Sequence, residues 1–476
     1  MDQFPYVFFL GIGGIGMSAL ARWFQANGHQ VSGYDKTETP LTQALQAEGI
    51  DVHYADAVEN IPAVVRENKP QTLVVLTPAI PADSREWAWL RAEGYDIRKR
   101  SQVLGVLTQG RRTIAVAGTH GKTTTSSMVA HLLHHAGHDA GAFLGGIAVN
   151  LGSNLLLSRA ADAPVVVEAD EYDRSFLTLR PDVAIVTSTD ADHLDIYGNQ
   201  EALIESFRQF VRQIKPGGTL LVNCTAHPSV AQAAPVGTQI IQYGLAAAPG
   251  IDLFAAHVTA RGHEFHFDLQ GPLGDVAGLA LAVPGFHNVE NMLAAAAVAQ
   301  LEGVSGAPLI AAVAAYRGVK RRFEFVATGP GGQVYLDDYA HHPREIEAFL
   351  RSVRALYPGR RLRVVFQPHL FTRTRDFAEG FARSLSIADE VILLDIYPAR
   401  ELPLPGVTSE IILANITSPV KSLQTKAQVL AAARADAVEI MATVGAGDVD
   451  TLVPELKLIF GERWNNNPSV PMQGKT

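Results

Sequence analysis

Residues 118–125 read Gly-Thr-His-Gly-Lys-Thr-Thr-Thr and directly follow the apolar run Thr113–Ala117. A short apolar run that leads into glycines, a lysine and hydroxyls at the start of a helix predicts a strand, a phosphate-binding loop and a helix N-terminus. Backbone N–H groups there would face phosphate oxygens, Lys122 would supply a point charge, and the Thr123 hydroxyl could hold Mg²⁺. The spacing G-x-x-x-x-G-K-[ST] is not met, because the first glycine lies three residues before Gly121. We therefore predict a variant of this loop in an α/β domain.

The length and composition of the chain limit its class. At 476 residues it exceeds what one hydrophobic core supports, so two or three domains are expected. A hydrophobic content of 47% and a net charge of −9 predict a soluble globular protein and argue against a general nucleic-acid or anionic-membrane binder. The single cysteine, Cys224, excludes an intrachain disulfide, and no segment reaches the roughly 18 apolar residues of a membrane span. A cytoplasmic location is expected.

The first α/β pattern begins at the amino terminus. The apolar run Tyr6–Leu10 predicts a buried strand, and it leads into Gly11–Gly16, which satisfies G-x-G-x-x-G and precedes a helix with apolar periodicity. A second strand at Gln30–Gly33 leads to Asp35. This layout is typical of a nucleotide-binding βαβ unit, in which the glycines let a pyrophosphate approach and the acid contacts a ribose.

The same unit continues with a strand at Thr72–Leu76, which is followed by Thr77. Residues 98–100 then place three cations, ending with Arg100, near the end of the unit. These cations are consistent both with an anion-binding cluster and with a solvated basic face.

Two acidic clusters follow strands in the second α/β pattern. Strand Pro164–Val167 leads into Glu168 and further carboxylates up to residue 173, and strand Val183–Thr187 leads into an acidic stretch that contains His193. Carboxylates, a threonine hydroxyl and an imidazole would suit Mg²⁺ or Mn²⁺. Either cluster alone could be a solvated loop or a helix cap, but both follow strands of the unit that carries the phosphate loop. No C-x-x-C or H-E-x-x-H pattern indicates zinc.

A loop at residues 284–288 precedes an alanine-rich helix predicted at Val289–Leu301. Asn288 and Asn291 could hydrogen-bond the edge of a base, and Asn288 could equally cap the helix.

The third α/β pattern follows the cationic run at residues 320–322. Strands are predicted at 333–336, 362–366 and 390–394, and each is followed by polar side chains. Those side chains are Asp337, Asp338, His341, His342, Gln367, His369, Arg373, Arg375 and Asp395. Because the carboxyl ends of parallel strands meet at one edge of a sheet, we expect these groups to form one functional rim.

The chain contains, in this order, the segments GIGGIGMSALA, GTHGKTTT, EADEYDRSF, DADHLD, HNVENMLAA, RRFE, DDYAHHP, FQPHLFTRTRD and GAGD. In that order they resemble the motifs of the Mur ligase family over nearly the whole chain. The resemblance implies an α/β protein of three domains, which we place at residues 1–107, 108–320 and 321–476. They would be a Rossmann-like domain for the UDP-sugar, a central P-loop ATPase-type domain, and a C-terminal Rossmann-like domain for the amino acid.

The chemistry implied by the resemblance is amide formation driven by ATP. ATP phosphorylates a carboxylate to an acyl phosphate, and an amine then displaces phosphate. The closest branch of the family joins L-alanine to UDP-N-acetylmuramate, a step of peptidoglycan precursor synthesis, with Mg²⁺ or Mn²⁺ as cofactor. No nucleic acid, membrane insertion or obligate protein partner is expected.

The resemblance also implies roles for individual residues. Catalytic roles fall to Lys122, His193, His342 (with His341 as its alternative), His369 and Arg373. ATP-binding roles fall to Gly118, Thr119, His120, Gly121, Lys122, Thr123, Thr124, Asn288, Asn291, Arg322 and Asp338. UDP-sugar-binding roles fall to Gly11, Gly13, Gly14, Ile15, Gly16, Asp35, Thr77 and Arg100. Metal-binding roles fall to Thr123, Glu168 and His193.

Two positions bear on the branch of the family. Many alanine-adding ligases have an arginine after the histidine of the FQPH motif, and here that position is Leu370, so Arg373 or Arg375 would contact the carboxylate. Several sister ligases have a lysine, modified to a carbamate, 15 residues after the metal-binding histidine. Here that position is Arg208, which favours the alanine-adding branch.

Other functions remain open on the residues alone. A ligase that adds a recycled tripeptide would use the same UDP-sugar and most of the same motifs, although FQPHLFTRT favours alanine. An NAD-dependent oxidoreductase would use Gly11–Gly16 and leave the phosphate loop unexplained. A non-catalytic nucleotide-binding module would bind ATP at Lys122 without needing the functional side chains at so many strand ends.

Overall fold

A computed structural model describes residues 1, 3–81, 83–191, 194–261, 263–399, 401–436 and 438–466. Strands and helices alternate along the chain and form three sheets, which confirms the predicted α/β class. The chain divides into two compact units. Unit 1 comprises Met1–His257, Phe267–Leu279 and Glu290–Arg317, and unit 2 comprises Val258–His266, Ala280–Val289 and Gly318–Thr476. Among the described residues, no helix has both the length and the apolar character that a bilayer crossing requires.

The first sheet is parallel and five-stranded, in the order β3-β2-β1-β4-β5. Its strands are β1 (Tyr6–Leu10), β2 (Gln30–Tyr34), β3 (Asp51–His53), β4 (Thr72–Leu76) and β5 (Asp96–Lys99). Its helices are α1 (Ile15–Ala26), α2 (Pro40–Ala47), α3 (Ala63–Glu67), α4 (Arg85–Glu93) and α5 (Arg100–Thr108). The strand order reverses between β1 and β4, so a crevice opens at the carboxyl end of β1, where the glycine loop begins.

The second sheet has ten strands in the order β15-β14-β13-β12-β11-β10-β6-β9-β7-β8. Its strands are β6 (Thr113–Ala117), β7 (Gly141–Ala148), β8 (Ser153–Leu156), β9 (Val165–Glu168), β10 (Val183–Val186), β11 (Thr219–Asn223), β12 (Gln239–Gly244), β13 (Leu253–Arg261), β14 (Glu264–Gln270) and β15 (Val276–Leu281). The helices of this region are α6 (Lys122–His135), α7 (Leu194–Tyr197), α8 (Gln200–Val211), α9 (Pro228–Gln232), α10 (Phe286–Leu301) and α11 (Gly306–Ala315). Strand β6 lies between β9 and β10 and is parallel to both, so the phosphate loop and both acidic clusters emerge at one edge.

The third sheet has six strands in the order β16-β17-β21-β18-β19-β20, and only β16 is antiparallel to its neighbour. Its strands are β16 (Glu324–Thr328), β17 (Val334–Asp338), β18 (Leu362–Phe366), β19 (Glu390–Leu393), β20 (Val420–Leu423) and β21 (Ile440–Val444). Its helices are α12 (Pro343–Leu356), α13 (Phe371–Leu385), α14 (Glu410–Leu413), α15 (Lys426–Ala435) and α16 (Val453–Asn466). Strands β17, β18 and β19 are parallel, with β21 between β17 and β18, so their carboxyl ends lie at one edge as predicted, while the function of that edge stays a prediction.

One boundary differs from the prediction. Helix α10 begins at Phe286 rather than Val289, so Asn288 lies inside its first turn and is not the residue that precedes the helix. Its side-chain amide nevertheless donates to the carbonyl of Pro284 at 2.7 Å, the contact that a short polar side chain makes near a helix start.

One hydrophobic cluster among the described residues connects the first two sheets. It includes Phe9 and Leu20 beside the glycine loop, and Ala117, Val186 and Phe207 from the phosphate-loop sheet, all fully buried. Because these side chains belong to one cluster, the two loops are supported by the same packing.

Candidate active site

The phosphate loop follows β6 in a conformation that only glycine adopts readily. Gly118 has a φ of +135° and Gly121 a φ of +82°. A Cβ atom on Gly118 would also run into the neighbouring residues Thr187 and Ser188. Helix α6 starts at Lys122, and Gly121 in front of it has no side chain to cap the first turn. The amino-terminal N–H groups of α6 are therefore available to an anion.

Residues that follow β10 hold this loop through hydrogen bonds. The hydroxyls of Thr119 and Ser188 lie 2.8 Å apart, and the backbone N–H of His120 donates to Ser188 Oγ at 2.8 Å. The N–H of Asp190 donates to Thr119 Oγ1 at 3.1 Å, and its carboxylate lies 3.6 Å from His120 Nε2. The predicted ATP-binding residue Thr124 is buried in the first turn of α6. The loop is thus held in shape without a ligand.

Lys122 is held by two acceptors in the loop region. Its Nζ donates to Glu171 Oε1 at 2.8 Å and to the Gly118 carbonyl at 2.7 Å, and the Glu171 side chain is fully buried. Burial alone would lower the pKa of Lys122, but the charges of Glu171, Asp170 and Glu168 outweigh it and raise that pKa above its ordinary value. Lys122 is therefore a protonated cation at the first residue of α6.

Glu168 connects the phosphate loop to the neighbouring strand β7. Its Oε1 accepts from Thr123 Oγ1 at 3.1 Å, and its Oε2 accepts from the backbone N–H of Gly145 at 3.0 Å. A hydroxyl and a carboxylate side by side are oxygen donors of the kind Mg²⁺ prefers, and Mg²⁺ commonly takes one or two protein ligands together with phosphates and waters. Thr123 and Glu168 therefore fit such an ion. Within the described part of the chain no group of three or more His, Cys, Asp or Glu side chains forms a metal cluster, and His193 lies outside the described residues.

The glycine loop after β1 is fixed by an acid and faced by an arginine. The N–H of Gly13 donates to Asp35 Oδ2 at 2.8 Å, and Gly11 has a φ of +84°. A Cβ atom on Gly16 would lie 2.8 Å from a guanidinium nitrogen of Arg100, so this glycine allows the arginine to lie against the loop. Asp35, predicted to contact a ribose, is thus seen to anchor the loop backbone.

A cavity of about 240 Å³ joins these features within unit 1. On the side of the first sheet its walls include residues of the loops and helices that follow the strands, namely Gly14, Ile15, Gly16, Thr77 and Arg100. On the side of the second sheet they include Phe143, Gly145, Glu168 and Asp170. The guanidinium of Arg100 lies 3.6 Å from the carboxylate of Asp170. Glu168 therefore faces the cavity while it contacts Thr123 of the phosphate loop.

The two asparagines of α10 have different neighbours. The side-chain oxygen of Asn291 lies against the loop, since a Cβ atom on Gly121 would come within 2.8 Å of it. Asn288 is buried and bonds to the Pro284 carbonyl, as described above. Of the two residues predicted to contact a base, Asn291 is the one that unit 1 brings to the phosphate loop.

In unit 2, the carboxyl end of β17 carries two buried aspartates. Asp337 Oδ2 accepts from Arg321 Nε at 3.3 Å, and its Oδ1 accepts from Thr443 Oγ1 at 2.5 Å. Asp338 accepts from the backbone N–H groups of Phe323 at 2.7 Å and Ala340 at 2.8 Å. Burial raises the pKa of Asp338 to about 6, against the opposing charge of the nearby Arg322. Asp338 thus organises the segment that carries Arg322.

The histidines of this rim occupy distinct positions. His342 is buried as the N-cap of α12, where its Nδ1 accepts from Arg344 N at 3.3 Å, whereas the ring of His341 lies 6.2 Å from that of His369. The His369 ring stacks on Tyr397 at 5.9 Å. Arg373 lies in the first turn of α13, which begins after Leu370.

Leu370 stands out because its φ is +70°, an uncommon value for a residue with a side chain. It is buried, and its N–H donates to the Tyr397 carbonyl at 3.0 Å.

Several residues that shape the site were not identified from the sequence. They are Glu171, Ser188, Gly145, Arg321 and Tyr397, which the hydrogen bonds, ion pairs and ring contacts of the site involve. Glu171 and Arg321 lie inside motifs that the sequence did show, so position relative to a motif could have found them. Gly145 lies in a strand that the sequence did not predict.

Family models match three consecutive stretches of the chain. Residues 6–112 match the Mur ligase family, catalytic domain, and residues 116–299 match the Mur ligase middle domain. Residues 321–454 match the Mur ligase, glutamate ligase domain.

Individual proteins are similar over nearly their whole length. The UDP-N-acetylmuramate–L-alanine ligase of Phocaeicola vulgatus is 46% identical over 453 residues, which is 94% of this chain and 97% of that protein. The crystal structure of the UDP-N-acetylmuramate-alanine ligase of Thermotoga maritima matches with a TM-score of 0.79 at 28% identity, covering 97% of this chain and 99% of that one. A murein peptide ligase from Psychrobacter arcticus matches with a TM-score of 0.70 at 26% identity, covering 96% and 98%.

Proposed function

The chain belongs to the Mur ligase family of ATP-dependent ligases, and from this premise we propose that it joins the amine of L-alanine to the carboxylate of UDP-N-acetylmuramate. The observation that carries the proposal is the double contact of Glu168. This carboxylate faces the cavity beside the glycine loop and also contacts Thr123 in the phosphate loop. A substrate carboxylate in the cavity and a nucleotide phosphate on the loop would then be neighbours.

The UDP-sugar is proposed to bind at the carboxyl edge of the first sheet. The N–H groups of the loop at Gly14–Gly16 and the guanidinium of Arg100 would receive the diphosphate, with Thr77 on the wall of the cavity. Asp35 would act by holding the loop through Gly13 N.

The first chemical step is proposed to be phosphorylation of the sugar's carboxylate. A carboxylate oxygen attacks the γ-phosphorus of ATP, the bond to the bridging oxygen breaks, and ADP leaves with the electron pair. Because both reactants are anions, positioning and charge neutralisation supply most of the catalysis. Lys122 would neutralise phosphate charge, and exchanging its Glu171 contact for a phosphate oxygen keeps it paired.

Mg²⁺ is proposed as the cofactor, with Mn²⁺ as its alternative. Thr123 and Glu168 would hold it together with phosphate oxygens, and His193 is carried forward from the family resemblance as a third ligand. When bound, the ion would reduce the negative charge that the incoming carboxylate meets.

The second step is proposed to be attack of the alanine amine on the acyl phosphate. The nitrogen forms a bond to the carbonyl carbon, loses a proton, and phosphate leaves. The rim of unit 2 that carries His341, His369 and Arg373 is proposed to recognise the amino acid, since it presents imidazoles and a guanidinium at the ends of parallel strands. The three domains at residues 1–107, 108–320 and 321–476, and a cytoplasmic site of action near the ATP and UDP-sugar pools, belong to the same proposal.

The test is ATP-dependent phosphate release with UDP-N-acetylmuramate and MgCl₂, in the presence of L-alanine, glycine, L-serine or the muramyl tripeptide. We expect release only when the UDP-sugar and L-alanine are both present, with a new amide product in the mass spectrum. EDTA should abolish release, and excess Mg²⁺ should restore it.

Because the chain is also similar to a murein peptide ligase, the most informative comparison is between phosphate release with the tripeptide and phosphate release with L-alanine. If tripeptide supports turnover at least tenfold better than L-alanine, the fold and mechanism stand and the amino-acid assignment is wrong. If no acceptor supports release, the proposed ligase activity itself is contradicted.

A further inference from the structure

Tyr339 lies against two adjacent arginines of unit 2. The guanidinium carbon of Arg321 is 5.1 Å from the centroid of its ring, and that of Arg322 is 5.0 Å from it. Both distances fall within the range of an attractive contact between a cation and an aromatic face. The edge-to-face contact of the same ring with His341, at 5.4 Å between centroids, places Tyr339 beside the rim of unit 2.

The two arginines use their donors in different ways. Arg321 donates to the carbonyl of Gly445 at 2.7 Å and pairs with Asp337 at 3.3 Å and with Asp450 at 3.0 Å. Its guanidinium is therefore occupied by the protein itself and ties the segment to the ends of β17 and β21.

Arg322 contrasts with its neighbour. Across the described parts of the chain, no hydrogen bond or ion pair involves the guanidinium of Arg322, which is only partly buried. It lies over the ring of Tyr339 and interacts electrostatically with the buried Asp338 and with His287. Because no protein acceptor takes its N–H groups within the described parts of the chain, the five donors of this guanidinium are available to an oxyanion.

The backbone fixes this presentation. Arg321 has a φ of +61° and Phe323 a φ of +48°, so Arg322 lies between two residues in the left-handed region. Two hydrogen bonds hold the segment there, from Tyr339 N to the Arg321 carbonyl at 2.7 Å and from Phe323 N to Asp338 Oδ2 at 2.7 Å. A conformation that two contacts impose on a strained segment is typical of functional sites.

We propose that Tyr339 is a positioning residue that presents Arg322 to a phosphate group of the reaction. The ring supports the guanidinium, and Arg321 anchors the segment that carries both. This inference rests on the proposed function for the identity of the phosphate. The aromatic ring of Tyr339, and not its hydroxyl, is the group that positions Arg322.

The test is a double-mutant cycle with Tyr339→Leu, Arg322→Ala and the combined variant, and with Tyr339→Phe as the matched control. We expect Tyr339→Leu to lower kcat/KM for ATP by about tenfold, the scale of a partly desolvated cation–π contact. Tyr339→Phe keeps the ring and should stay within about twofold of the wild type on the same scale. In the Arg322→Ala background, Tyr339→Leu should have no further effect.

Two outcomes would overturn the proposal. If Tyr339→Phe loses as much as Tyr339→Leu, the hydroxyl contacts a ligand directly. If Tyr339→Leu lowers kcat/KM by the same factor with and without Arg322, the ring acts independently of that arginine.

Should Tyr339→Leu fold poorly by circular dichroism, Tyr339→Met, which is apolar and unbranched, replaces it in the cycle. Arg322→Lys should behave like Tyr339→Leu, because an ammonium lacks the planar fork that stacks on the ring.

A binding measurement separates this inference from the proposed function. The rise in melting temperature caused by the non-hydrolysable ATP analogue AMP-PNP should be smaller in Tyr339→Leu than in Tyr339→Phe. If the two variants differ in this way but the wild type shows no turnover with UDP-N-acetylmuramate and L-alanine, the proposed function fails and the role of Tyr339 stands. If the wild type turns over but Tyr339→Leu and Tyr339→Phe show the same rise in melting temperature, the proposed function stands and the role of Tyr339 fails.

Discussion

At the scale of single residues, the phosphate loop depends on one cation. Lys122 is paired with Glu171 and with the Gly118 carbonyl, and it is the first residue of α6. Lys122→Ala removes a cation that would stabilise the phosphoryl group as it transfers, so we expect a loss of at least about 100-fold in kcat. Phosphate release under saturating substrates measures it. Lys457→Ala, on the exposed face of α16, is the matched control and should not change the rate.

The same variant can also contradict the mechanism. A Lys122→Ala enzyme that keeps its rate within threefold of the wild type would remove this lysine from the phosphoryl-transfer step. Circular dichroism and the melting temperature distinguish the expected loss of catalysis from a loss of folding, since removing Lys122 takes away the cation that pairs with the buried Glu171 and destabilises the free protein.

Which residues could be predicted follows from the physics of the local sequence. Glu168 stands directly after an apolar run, and Lys122 and Thr123 follow another run after a loop of four residues, so the strand-end rule locates them without a structure. The partner of Lys122 could not be predicted, because Glu171 is one of several nearby carboxylates and only the fold selects among them. The anchoring role of Asp35 was missed for the same reason, since a hydrogen bond to Gly13 N depends on how the loop folds back.

At the scale of elements, buried strands were predictable and glycine-rich ones were not. Strands β1, β4, β6 and β18 have the predicted bounds because each is a continuous apolar run. Strand β7 contains Gly141, Gly145 and Gly146, which lower strand propensity, and it forms because it pairs with β8 and β9. Pairing of that kind is a tertiary effect that local sequence does not encode. Its consequence is functional, since Gly145 N binds Glu168.

Helix α6 carries a histidine whose titration affects stability. His131 is buried, its Nε2 lies 2.9 Å from the Ala312 carbonyl, and burial lowers its pKa from 6.5 to about 4 against that hydrogen bond. A neutral imidazole that charges more readily in the unfolded chain stabilises the fold above pH 6.5, and this contribution is lost as the pH falls toward 4. We expect the wild type to lose about 3 kcal/mol of unfolding free energy in that window from His131 alone.

His131→Gln should flatten this acid limb, and urea denaturation between pH 4 and 7 measures it. The slope against pH is compared rather than the absolute stability, because the substitution also changes packing beside Tyr316. His134→Gln, on the exposed side of the same helix, is the control. Parallel slopes for His131→Gln and the wild type would show that His131 does not carry the pH dependence.

At the scale of the whole molecule, the two nucleotide-type loops share one unit and one core. The glycine loop follows β1 and the phosphate loop follows β6, and side chains behind both belong to the same hydrophobic cluster. Ligands at either loop should therefore stabilise the same cooperative transition. A ligand that binds only the folded state raises the free energy of unfolding by about 2.7 kcal/mol when its free concentration is 100 times its Kd, whichever loop it occupies.

Because the loops share one unit but are proposed to bind different ligands, each loop variant should lose the melting-temperature shift caused by one ligand and keep the shift caused by the other. UDP-N-acetylmuramate and AMP-PNP should each raise the melting temperature of one transition in the wild type. Lys122→Ala should lose the shift from AMP-PNP and keep the shift from the UDP-sugar, because its partners lie in the phosphate loop and its acidic neighbour. Asp35→Ala should do the reverse, because it frees the glycine loop at Gly13. If either variant lost both shifts, the loops would not bind separate ligands, whereas shifts in two resolved transitions would mean that the shared core does not unfold as one unit.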